Sequence, residues 1–200
     1  MTSVNSVNDL QKQQDEEIEI FESPTPNPNA IKYICSRLLI AKGNANFEER
    51  SECQNIPLLV NLFSLRGVDR VHLFENTLTV TKFNYLPWEE LSPHVIDLLK
   101  NELPQHSPEI TVENPEEKRR ESLSPTLLAI EEILDKTIRP GLQGDGGDLE
   151  CLEYRDNNLI IRYQGACGTC PSSSSGTLEA IKSILREQFN PDIEVFIAPS

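Results

Sequence analysis

Two cysteines, Cys167 and Cys170, lie in the stretch Gly165-Ala166-Cys167-Gly168-Thr169-Cys170-Pro171. Two thiols separated by two small residues can point the same way from one tight turn, the geometry that a soft metal or a thiol–disulfide exchange needs. Zinc takes four ligands, usually Cys or His. The chain's histidines, His72, His94 and His106, all precede residue 123, so zinc held by the C-terminal part alone is disfavoured. A thioredoxin-like exchange site also sets Cys-x-x-Cys between a strand and a helix. The stretch after Cys170 has room for one helix and one strand, which leaves little room for the rest of that fold, and dithiol–disulfide exchange stands as the alternative reading. A [4Fe–4S] cluster takes four thiolates, and this turn supplies two. Two chains meeting at their turns would supply the full set, and a cluster held across such an interface could be released when the interface opens. That suits a carrier better than an electron-transfer protein. The bland alternative is a pair of cysteines packed in a small core. Glycine, threonine and proline around the thiols point instead to an exposed turn.

The elements that must position this turn are legible on both sides of it. Asn158 to Gln164 predicts a strand with Leu159, Ile161 and Tyr163 on one face. Pro171 and Ser172 to Ser175 offer a first-turn proline and capping hydroxyls for a helix that buries Leu178, Ile181, Ile184, Leu185 and Phe189. Thiolates at the start of that helix would ionise more readily than an ordinary cysteine. Upstream, Ser124-Pro125 opens a helix lined by Leu127, Ile130, Ile133, Leu134 and Ile138, and Arg139-Pro140-Gly141 stops it. Asp145-Gly146-Gly147-Asp148 turns the chain into a strand over residues 149–154, Asp156-Asn157 turns it back, and residues 193–197 supply a last strand.

The earlier part reads as a separate small domain. Ile18 and Ile20 begin a strand, and Thr25-Pro26-Asn27-Pro28-Asn29 is a stiff connector that can be neither helix nor inner strand. Residues 30–35 resume as strand, 41–55 read as a loop, and 56–63 as a short buried helix. Strands at 68–74 and 77–82 form a hairpin through Glu75-Asn76, and Pro87-Trp88 opens a second helix. The organisation predicted is a disordered start over 1–17, a first domain over 18–102, a flexible linker over 103–122 and a second domain over 123–200. The fold class is α+β (α/β), each domain a short sheet with helices on one face.

Composition narrows the function. The net charge is −14 and both halves are acidic, so neither nucleic acid nor an anionic membrane is an expected partner. The basic cluster Lys118-Arg119-Arg120 follows Glu116-Glu117 and reads as solvated charge. No apolar run is long enough for a membrane span. Five cysteines in no framework spacing, after a start that reads as neither signal nor transit peptide, predict a reducing compartment. A bacterial-type cytoplasm is the expected location, with a processed organellar form the other possibility. Cys151 and Cys35 lie in apolar strands and read as core. Cys53, in a polar loop, reads as a bystander thiol open to oxidation. Asp145 and Asp148 read as turn residues before cation ligands, and Ser172 to Ser175 have no histidine base nearby, so capping is preferred to catalysis. The Pro-Asn run is read as a rigid corner or a docking surface.

Several ordered motifs carry a family resemblance. From about Ile138 onwards, Arg139-Pro140, Leu142-Gln143, Asp145-Gly146-Gly147-Asp148, Gln164-Gly165-Ala166-Cys167, Cys170-Pro171-Ser172-Ser173 and Thr177-Leu178 closely resemble the NifU C-terminal domain. The first domain is similar to the N-terminal domain of Nfu proteins through Thr25-Pro26-Asn27-Pro28-Asn29, Leu62-Phe63, Gly67-Val68, and Thr79-Val80-Thr81-Lys82 followed by Trp88-Glu89-Glu90-Leu91. The resemblance implies a non-enzymatic iron–sulfur scaffold or carrier. It would bind a [4Fe–4S] cluster between two subunits, with [2Fe–2S] as an intermediate form, receive it from an upstream assembly scaffold and hand it to apo-proteins. Carried over by position, Cys167 and Cys170 are the implied ligands. Between Cys170 and Thr177 the chain is one residue longer than the family's usual pattern, with Gly176 in the extra place. Nothing resembles the additional assembly domain that NifU proteins can carry, so transfer is implied before cluster synthesis.

Overall fold

Residues 18–110, 123–169 and 176–198 are described by a computed structural model. The first domain runs β1 (Ile20–Pro24), β2 (Ala30–Cys35), β3 (Asn44–Phe47), α1 (Pro57–Leu62), β4 (Val68–Phe74), β5 (Thr77–Lys82) and α2 (Trp88–Glu102). Its five strands pair antiparallel in the order β1-β2-β5-β4-β3. Proline is tolerated at the end of β1 because β1 is an edge strand. The β4–β5 hairpin turns at Glu75, whose φ of +50° matches the handedness a tight hairpin requires.

Strand alternation gives this sheet two unlike faces. Tyr33, Val71, Leu73, Leu78 and Val80 join Leu58, Leu59, Leu62, Val95 and Leu99 from the two helices in one buried core. The opposite face carries polar residues, and much of it is also buried: Asn44, His72, Thr79 and Thr81 are among the buried polar side chains.

Two expectations fail here. Residues 41–55 are not one loop, since Asn44–Phe47 pairs with β4 and Arg50–Cys53 forms a single 3-10 turn. The missed strand is half asparagine, and its amides are satisfied by the second domain, a relation that local composition does not carry. Residues 103–110, expected as the start of a linker, pack on the first domain instead. Leu103 is buried, Ile110 packs on the same core, the His106 ring meets the Leu39 carbonyl at 2.8 Å, and Ala41 N–H donates to Pro108 O. Residues 111–122, including Lys118-Arg119-Arg120, and residues 1–17 lie outside the described residues.

The second domain runs α3 (Pro125–Thr137), α4 (Arg139–Gly144), β6 (Gly147–Arg155), β7 (Asn158–Gly165), a 3-10 turn (Ala166–Thr169), α5 (Gly176–Gln188) and β8 (Glu194–Ile197). Ser124 caps α3, its hydroxyl accepting from Leu127 N–H, as its sequence position predicts. Arg139-Pro140-Gly141 does end α3, but the chain restarts at once as α4, because proline suits a first helical turn. Strands β6 and β7 pair antiparallel through a turn with positive φ at Asp156 and Asn157, and β8 pairs with β7 in parallel. Leu159, Ile161 and Tyr163 meet Ile130, Leu134, Ile181 and Leu185 from the helices in a second core. The α+β class, with two sheets each covered by helices on one face, is the observed architecture. Among the described residues no helix is long and apolar enough to cross a membrane.

Candidate functional site

Strand β7 delivers the chain to the cysteine turn. Its last residue, Gly165, has φ +58°, and a Cβ there would stand 2.6 Å from the Gly146 carbonyl. Only glycine fits both constraints without strain. The reversal lets Ala166 N–H donate to Gly146 O at 3.0 Å and starts the 3-10 turn that holds Cys167. The Cys167 sulfur then sits over Gly147: a Cβ on that glycine would stand 2.5 Å from Sγ. The absence of a side chain at Gly147 is what makes the seat.

The structure therefore places Cys167 at the end of β7, as expected, but not in an exposed turn. Cys167 is only 7% exposed and belongs to the second core. Cys167 lies in the 3-10 turn Ala166–Thr169, and α5 is described from Gly176. Cys170 and the capping residues 171–175 lie outside the described residues. Among the described residues no group of three His, Cys, Asp or Glu side chains is placed to hold a metal ion. Burial pushes the Tyr163 hydroxyl pKa up, and the adjacent Cys167 charge adds to it.

Beneath the turn lies a buried ionic hub. The Arg139 guanidinium meets the Asp148 carboxylate at 2.6 Å, Asp135 at 2.7 Å, the Leu149 carbonyl at 2.8 Å, and Glu131. Asp148 is fully buried; its second oxygen accepts from Gln143 at 3.1 Å and from Asn44 of the first domain at 2.8 Å. Asp148 is thus neither a turn residue nor a cation ligand. It is the acceptor that ties Arg139, the cysteine-bearing sheet and the first domain together.

The first domain reaches the turn directly, which no local sequence feature announced. Asn27 is 1% exposed, and its amide donates to the Ala166 carbonyl at 2.9 Å and to the Thr169 hydroxyl at 2.8 Å, on either side of Cys167. The Pro-Asn run holds Asn27 ready: its Oδ1 accepts from Asn29 N–H, its own N–H donates to Thr25 Oγ1, and Trp88 Nε1 donates to Pro28 O. Of the two readings of that run, the structure shows the corner, which is seated on the cysteine turn of the same chain. Gly165 N–H donates to Asn46 Oδ1 at 3.2 Å, and the Lys32 ammonium donates to the Gly144 carbonyl. His72 is buried beside Gly165 with neither ring nitrogen hydrogen-bonded. Burial lowers its pKa from 6.5 to about 4, against the opposing pull of Asp148.

The remaining cysteines are core residues. Cys151 and Cys35 are buried as expected, and burial pushes the Cys35 thiol up to about 12. Cys53 corrects its expectation. It is 1% exposed, because the 3-10 turn points it inward against the first core, and burial followed by the Glu52 charge raises its pKa. The polar residues around it face outward and hide this in the sequence.

Two family models match the chain: one described as a NifU-like domain over residues 130–196, the other as scaffold protein Nfu/NifU N terminal over residues 20–106. A human protein named NFU1 iron-sulfur cluster scaffold homolog, mitochondrial, is 31% identical over 85% of this chain and 67% of its own length. The chain belongs to the Nfu family. Further Nfu relatives include NifU-like protein 4, mitochondrial, of Arabidopsis thaliana, 31% identical over 80% of this chain and 59% of that protein. A NifU-like protein of Schizosaccharomyces pombe is 29% identical over 88% of this chain and 71% of its own.

Proposed function

We propose that this Nfu-family chain is an iron–sulfur cluster scaffold or carrier, not an enzyme, and that its cargo is a [4Fe–4S] cluster bound between two subunits by Cys167 and Cys170 of each. Family membership supports the scaffold role, since the human relative is named for it. The observation that carries the shared cluster is the thiol count of the turn: each chain offers two closely spaced cysteines where the cluster takes four. Cys151, Cys35 and Cys53 are not counted in the set, because they lie outside the turn, on β6, on β2 and in the 3-10 turn Arg50–Cys53. Half a ligand shell per subunit also accounts for release. Parting the two subunits removes half the bonds to the cargo, so an apo-protein with its own thiolates can take it over. The supplier in this reading is an upstream assembly scaffold, and a [2Fe–2S] form is an intermediate of loading.

Anaerobic reconstitution with iron and sulfide tests the ligation. The reading expects a brown protein with one cluster per two chains, and Cys167→Ser or Cys170→Ser left colourless. A fully retained cluster in either variant rules out the assigned ligands. A colourless wild-type protein with a reversible Cys167–Cys170 disulfide would favour dithiol exchange. For location, the human and Arabidopsis relatives are named as mitochondrial, which supports the processed organellar form over a bacterial-type cytoplasm. Fractionation of the source cells decides between them.

A further inference from the structure

The polar face of the first sheet is covered by the part of the second domain that carries Cys167. Asn27 fastens Ala166 and Thr169, Asn46 fastens Gly165, and Asn44 fastens Asp148. The fit is close at backbone level: a Cβ on Gly146 would meet Lys32 and Thr79, and one on Gly165 would meet the His72 ring. Four groups that flank the thiol, the Gly165 N–H, the Ala166 carbonyl, the Thr169 hydroxyl and the Asp148 carboxylate, are thus engaged by one domain of the same chain.

We infer that the first domain is an internal cap on the cysteine turn, and that the polar sheet face is an interaction surface whose partner in the cluster-free chain is this chain's own turn. The chemistry of the contact suits a separable cap. Asparagine and lysine side chains meet backbone and carboxylate groups, and each of these can exchange its partner for water at a modest net cost per bond. Closed, the contact occupies the groups on both sides of Cys167, so a second copy of the chain cannot present its own turn to the same sulfur. Opening frees them. The consequence for cluster sharing rests on the function proposed above; the contact itself does not.

The test uses the full-length, reduced, metal-free chain. Asn27→Asp keeps the acceptor that receives Asn29 N–H, and with it the loop's own turn, but replaces the two-donor amide by an acceptor facing the Ala166 carbonyl. Alkylation of Cys167 by iodoacetamide, located by tandem mass spectrometry, should accelerate about tenfold, the factor implied by losing the bond to the Ala166 carbonyl and setting a carboxylate against it. Hydrogen exchange at the Gly165 amide should accelerate with it. Asn46→Ala, which removes the acceptor for that amide, should act in the same direction and serves if the first variant does not fold. Unchanged Cys167 alkylation in a folded variant overturns the cap, because the second domain alone would then be burying the thiol. A wild-type Gly165 amide that exchanges as fast as an unprotected one overturns it without any variant. No iron enters these measurements, so a chain that carries no cluster leaves the cap standing, and an absent cap leaves the ligation to its own test.

Discussion

Protonating His72 should weaken the closed arrangement. The imidazole projects from β4 into the contact with the second domain, is 2% exposed, and has no hydrogen-bond partner on either ring nitrogen. Burial lowers its pKa from 6.5 to about 4, with Asp148 pulling the other way. A histidine released to water takes up a proton near pH 6.5, whereas the buried ring refuses it until about pH 4. The stability it contributes is therefore fully present above about pH 6.5 and is lost as the pH falls towards 4, whether the chain unfolds or its domains only part. At about 1.4 kcal/mol per pH unit, the whole interval comes to roughly 3 kcal/mol, of which about 2 kcal/mol is gone by pH 5. Urea unfolding followed by the fluorescence of Trp88, the single tryptophan, measures this in the first domain. His72→Leu removes the titrating group while leaving no lost hydrogen bond, so its stability at pH 7 should equal or exceed that of wild type. Between pH 7 and pH 5 it should lose about 2 kcal/mol less than wild type does. Parallel pH profiles for the two proteins would refute the reasoning.

Other perturbations report on the parts that seat the turn. Arg139→Ala leaves Glu131 and Asp148 buried without their cation and should cost about 3–5 kcal/mol in thermal or urea unfolding; a cost under about 1 kcal/mol would show that the hub is not held as described. Gly147→Ala drives a methyl group into the Cys167 sulfur and the Gln164 carbonyl, so it should destabilise by about 1–3 kcal/mol and lower cluster loading on reconstitution; wild-type loading would contradict the seat. Cys35 and Cys53 should resist iodoacetamide in the native protein and react only on unfolding; a native Cys53 that reacts like a peptide thiol would contradict its inward orientation.

The parts of the fold legible in the sequence are those decided by neighbours along the chain. Alternation in β7 put Leu159, Ile161 and Tyr163 on one face, and they share one core. Glu75-Asn76 announced a hairpin, and Ser124-Pro125 announced a capped helix start. What the sequence concealed depends on partners far along the chain. Asn44 and Asn46 looked like loop residues because their partners, Asp148 and Gly165, lie 104 and 119 residues away. Asn27 likewise bonds to residues 139 and 142 positions on. Asp148 looked like half of an Asp-Gly-Gly-Asp turn, and its role as a buried acceptor needed Arg139 brought round by the break between α3 and α4. At the site itself, spacing singled out Cys167, but its seat depends on the bare Gly147 across the sheet, and the groups on either side of it are held by Asn27 of the first domain.

Native mass spectrometry of the anaerobically reconstituted full-length chain tests the central claim most directly, because it weighs the subunits and the cargo together. The account predicts a dimer whose mass exceeds two chains by one four-iron, four-sulfide cluster, with metal-free chains running as monomers and Cys167→Ser carrying none. A cluster borne by a single chain, or by a dimer of the Cys167→Ser variant, would contradict it.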